Sequence, residues 1–183
     1  MAKTKTQPTI SLFDAPVVAS NANPFTSNTR DTRQLNLLAV DIATVTGWCM
    51  NDRSGRWDFS PNTGEHEASR LTRFRARLEK VFEEFNIKRV VYELPLIYVS
   101  KKRRPNFISF EMMGILKLMC IDYGIYCTGF QAGKLKKWAT GHGNAVKEMM
   151  VEKCIDRYGI TPQDHNEADA VHLYHYAIQE LHL

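Results

Sequence analysis

Three acidic residues stand where a strand or a helix would deliver each of them to one point. Asp41 closes the apolar run Leu37-Leu38-Ala39-Val40, and Glu93 closes Val90-Val91-Tyr92. Asp169 lies near the start of the last helical segment, in Asp164-His165-Asn166-Glu167-Ala168-Asp169-Ala170. Carboxylates carried by two strand ends and a helix start are what a two-metal phosphodiesterase site requires. Magnesium is a hard cation that prefers carboxylate and water oxygens. Two such ions, held roughly 4 Å apart, activate a water and stabilise the leaving oxygen of a phosphodiester. A lone strand-end acid is ordinarily a turn or cap residue, and acids in a helix first turn complement the macrodipole. An acid inside an apolar strand is costly to bury without a partner, and here there are two.

Holding two ions needs three or four acidic or equivalent ligands on rigid elements, and a fourth is harder to name. On a helix, the residues three and four positions before Asp169 share its face, which points to Asn166 and His165. His165 is the first choice for the fourth position, binding through an imidazole nitrogen or moving a proton. Asp164 is the second, provided the chain is still a loop there. Glu167 points elsewhere on a regular helix.

Basic residues surround these acids in the sequence. Lys101-Lys102-Arg103-Arg104 follows the Glu93 strand by a short connection, with Tyr98, Phe107 and Phe110 flanking it. Lys134, Lys136 and Lys137 precede Trp138, and Gly141 and Gly143 lead into the helix that carries Lys147. All of these are candidates for contacts to a nucleic-acid backbone. Glycines allow close approach to phosphate, and a helix start attracts anions. The Gly-Lys-Ser/Thr ending of a nucleotide-binding P-loop is missing. His172 and His175 share a helix face but lack a third ligand, so they read as partly exposed helix histidines.

The chain has 183 residues, 44% of them apolar, and a net charge of +4. That suits one domain with sequence to spare, and a mildly basic surface. The four cysteines form no Cys-x-x-Cys pair, which argues against zinc and for free thiols in a cytoplasmic protein. No apolar run is long enough to span a bilayer, so no membrane association is expected.

Residues 1–33 are rich in Thr, Ser, Asn and Pro and read as a flexible tail, with Ile10-Ser11-Leu12-Phe13 a short apolar element within it. The folded part, 34–183, reads as strand, strand, strand, helix, strand, helix, strand, helix, helix. Strands are expected over 35–43, from Trp48, over 56–60, over 87–94 and over 125–128, with Thr46-Gly47 as a tight turn. Helices are expected over 67–85, 105–123, 145–158 and 166–181, the second packing through Phe110, Met113, Leu116, Leu118 and Cys120. A meander followed by helix–strand units gives an α/β fold with a mixed five-stranded sheet and helices on both faces. The first strand then lies centrally beside the fourth, so Asp41 and Glu93 project from neighbours.

The chain resembles the RuvC-like Holliday junction resolvases of the RNase H-like superfamily, particularly the shorter phage-type members. The matching segments are Leu38-Ala39-Val40-Asp41 through Thr46-Gly47-Trp48, Val91-Tyr92-Glu93, Thr140 through Lys147, and Asn166-Glu167-Ala168-Asp169-Ala170. The resemblance implies an RNase H-like fold and a magnesium-dependent endonuclease acting on four-way junctions and other branched DNA, with manganese as a substitute ion. It implies Asp41, Glu93 and Asp169 as metal-binding acids and Lys147 as a lysine near the active site. The family usually carries another acid just before the last one, and His165 stands near that place. The resemblance further implies a homodimer, because two opposing strands are cut. A nuclease for RNA–DNA hybrids on the same scaffold, or a junction-binding protein with altered catalysis, are the competing readings.

Overall fold

The computed structural model describes residues 35–51, 53–95 and 107–183, all of them within a unit spanning Arg33–Leu183. The expected tail, Tyr98 and the basic cluster Lys101–Arg104 lie outside the described residues.

Five strands form one mixed sheet: β1 (Leu37–Asp41), β2 (Val45–Met50), β3 (Arg53–Asp58), β4 (Arg89–Leu94) and β5 (Tyr126–Gln131), in the order β3-β2-β1-β4-β5. β1 is central, antiparallel to β2 and parallel to β4. Its first four residues are fully buried, as a strand covered on both faces must be. Alternation along the strands sorts the two faces. Leu37, Ala39, Cys49 and Val91 pack with the last helix, α5 (His165–Glu180). Asp41 and Glu93 share the parity of those residues and so lie on the α5 face. Residues of the opposite parity meet the other layer, α1 (Ser69–Glu84) and α2 (Phe107–Asp122). Lys117 of α2 lies over the Tyr92 ring, and Arg77 of α1 over Trp57.

α5 is buried nearly all round, from Glu167 to Ala177, which makes it the central pillar of its layer. α3 (Ala132–Thr140) and α4 (Lys147–Tyr158) lean against it. α3 is the element that sequence reading omits. It starts directly after β5 with no turn residue between them, and only Ala132, Leu135 and Ala139 mark its buried face.

Three other expectations are corrected. Thr46-Gly47 is not a turn but lies inside β2, and the bend falls at 42–44, where the Thr46 hydroxyl donates to the Ala43 carbonyl at 2.6 Å. α2 buries Ser109, Met112, Leu116, Met119 and Cys120, leaving Leu118 in solvent. His172 is fully buried, its Nε2 sitting 2.9 Å from the Met150 carbonyl. It lines the core beside Tyr158, on which His175 stacks.

Candidate active site

Backbone geometry explains how the three acids come near enough to act on one another's charge. Val40 pairs with Tyr92 in the parallel β1–β4 ladder, so the next residues, Asp41 and Glu93, emerge side by side. On the other flank of Asp41 the register partner is Gly47. A β-carbon on Gly47 would overlap the Asn166 carbonyl and lie 2.8 Å from the Glu167 amide nitrogen. The missing side chain therefore lets the first turn of α5 rest directly on β2. Asp169, one turn further, is brought over the ends of β1 and β4.

The electrostatics agree with this placement. Burial, then Glu93, then Asp169 push the Asp41 carboxyl well above the ordinary carboxylate range. Burial and Asp169 raise Glu93 to about 7. Burial raises Asp169 to about 6, against the pull of Lys136 and Lys147. Lys136 of α3 is a favourable charge for all three acids. The sequence marks Lys136 only as one of a basic group; its place beside the acids depends on α3.

Glu93 Oε2 and Asp169 Oδ1 are shut off from solvent and have no hydrogen-bond partner. Buried carboxylate oxygens without donors are costly, and their natural complement is a cation. Among the described residues no three His, Cys, Asp or Glu side chains already close into a metal cage. The three carboxylates offer the chemistry a hard divalent ion prefers, all-oxygen and anionic donors on three rigid elements.

The residues preceding Asp169 have other partners. Asp164 caps α5, its Oδ1 accepting from the Asn166 and Glu167 amides at 3.0 Å each, while its Oδ2 pairs with Arg56 at 3.1 Å. Glu167 is a latch: Oε1 accepts from the Ser54 hydroxyl at 2.6 Å and Oε2 from the Gln163 amide at 2.8 Å. His165 meets Lys147, with Nε2 2.6 Å from the ammonium nitrogen. Burial and Lys147 depress the His165 pKa. Arg56, which ties β3 to the α5 cap, had no distinguishing signal in the sequence.

Further basic residues lie between β5 and α4. Lys134 and Lys137 are exposed and Lys136 is half-buried. Gly141 ends α3 in the left-handed conformation with φ 85°. Arg157 lies over the Trp138 ring and donates to the Trp138 and Ala139 carbonyls, fixing the corner from below. The N-cap of α4, Val146, makes no side-chain cap bond. Lys147 and the open amides of that turn are thus presented together.

Thermus thermophilus RuvC superposes with a TM-score of 0.61 at 17% identity, covering 80% of this chain and 96% of that one. The fold is that of the RuvC-like resolvases. T. thermophilus RuvC in complex with a Holliday junction substrate matches equally, at TM-score 0.61 and 18% identity, over 79% and 95% of the two chains. The yeast mitochondrial Holliday junction resolvase matches at TM-score 0.55 and 12% identity, over 76% of each. No family profile and no curated protein matches the sequence itself. The RuvC-like likeness is therefore one of fold. No helix among the described residues is long and apolar enough to cross a membrane.

Proposed function

We propose that this chain is a divalent-metal-dependent endonuclease that cleaves four-way junctions and other branched DNA, with residues 34–183 as the nuclease and 1–33 as a tail. The observation that carries the reading is the pair of buried, unpartnered oxygens, Glu93 Oε2 and Asp169 Oδ1, beside Asp41. The RuvC-like fold supports the substrate class, since the neighbours are named for Holliday junction cleavage.

Asp41, Glu93 and Asp169 would hold magnesium, which manganese could replace. When bound, such ions supply an activated water and stabilise the leaving 3′ oxygen, giving 5′-phosphate products. Lys136 offsets the charge of the three acids. Lys147 places a second positive charge where the scissile phosphate would gain negative charge. Lys134, Lys137 and the cluster Lys101–Arg104 serve as backbone contacts.

The working form is a homodimer. Phe107, Leu118 and Ile121 of α2 are 68%, 60% and 77% exposed and lie in one stripe with Gly114. A large apolar stripe facing solvent marks an interaction surface, and a second copy would bring two sites to two opposing strands.

The test incubates labelled four-way junction, flap, duplex and RNA–DNA hybrid with the protein and magnesium. Paired nicks in the junction support the reading. Preferred cleavage of the hybrid, or no cleavage of any substrate, contradicts it.

A further inference from the structure

His165 and Lys147 are the first residues of α5 and α4, and their side chains meet at 2.6 Å. A lysine ammonium has donors only, so the imidazole Nε2 must accept. That ring is then neutral, with its proton on Nδ1, and the Nε2 lone pair is occupied. An ammonium near two helix N-termini is opposed by both macrodipoles, so it gains no stability from that setting. It is held there by the imidazole nitrogen of His165. Asp169 Oδ1 meanwhile makes no hydrogen bond, although Lys147 acts on Asp169 through space. The lysine is near the acids without capping the oxygen that a cation would take.

We propose that His165 is a positioning residue for Lys147, holding its ammonium beside the acid cluster through Nε2, and is not a ligand of the metal. The proposal rests on the reading of Asp41, Glu93 and Asp169 as the metal-binding acids. It revises the sequence expectation that places His165 on the metal. Lys147 is the residue that would meet the phosphate; His165 acts through it.

The two roles separate experimentally in the full chain. Mn2+ is titrated calorimetrically into wild type, His165→Ala, His165→Gln, His165→Asn and Asp41→Asn, and junction cleavage is timed for each. His165→Ala should keep its Mn2+ affinity within about twofold while cleavage falls about 10–100-fold, the range for loss of a supporting partner. Gln places an acceptor near the Nε2 position and should restore much of the rate; Asn, which mimics Nδ1, should not. Imidazole 15N shifts should show Nδ1–H in wild type and a change toward Nε2–H in Lys147→Met. A tenfold loss of Mn2+ affinity in His165→Ala, wild-type cleavage by that variant, or an Nε2–H ring in wild type would overturn the proposal. Undiminished Mn2+ binding by Asp41→Asn would instead overturn the acid-site reading, whatever the ring reports.

Discussion

A β-carbon on Gly47 would overlap the backbone carbonyl of Asn166, so no side chain fits between β2 and the start of α5. This contact sets the height of α5 over the sheet, and with it the approach of Asp169 to Asp41 and Glu93. Gly47→Val should lift the helix end. Overpacking of this kind costs about 1–3 kcal/mol, a fall in Tm of roughly 3–10 °C for a domain of this size. Cleavage should fall further than stability, because the acids separate before the fold fails. Thermal melts and junction cleavage on one preparation check this; a variant with wild-type activity would contradict it.

The acids also leave a signature in stability. Glu93 at about 7 and Asp169 at about 6 bind protons more tightly when folded than when unfolded. Their stabilising contribution is complete below the unfolded values, about 4, and is lost as pH rises through 6 to 7. In chelator, Tm should therefore rise as pH falls from about 7.5 to about 5. His175 works the other way: burial and His172 hold it down to about 4, so its contribution is full above its unfolded value and is lost as pH falls through 4. Glu93→Gln and Asp169→Asn should flatten the acid-side gain and melt higher than wild type at neutral pH without metal. Unchanged profiles would show that the acids are not buried together.

Lys136 is the cation shared by all three acids. Lys136→Met should reduce cleavage by about 10²-fold, comparable to losing one preorganised electrostatic group. It should also steepen the pH dependence of Tm in chelator, since the acids lose their counter-charge. A mere DNA-contact role would weaken junction binding and leave that melting profile unmoved.

The α2 stripe predicts the oligomeric state. Wild type should sediment as a dimer at micromolar concentration, and Phe107→Asp with Ile121→Asp as a monomer with unchanged far-UV circular dichroism. A wild-type monomer would remove the stripe as a self-association surface.

Much of this was legible in the residues, and the failures have physical causes. Apolar runs ending in Asp41 and Glu93 announced two adjacent strands, and the parallel β1–β4 register bears that out. Gly124 and Gly159 marked helix ends, and both adopt positive φ. Thr46-Gly47 misled because glycine reads as a turn when its purpose is contact with a helix over 100 residues later. α2 carries apolar residues on every face, so no periodicity could tell its buried face from the exposed Leu118 and Ile121. α3 has no start signal, which hid the place of Lys136. The partners of Asp164, Glu167 and His165 depend on β3 and α4 side chains that only the fold brings near.

The central claim is that Asp41, Glu93 and Asp169 together bind divalent ions, and calorimetric titration of Mn2+ tests it most directly. Wild type should bind, and Asp41→Asn, Glu93→Gln and Asp169→Asn should each lose at least tenfold in affinity while remaining folded. Three variants that bind Mn2+ as wild type does would contradict it.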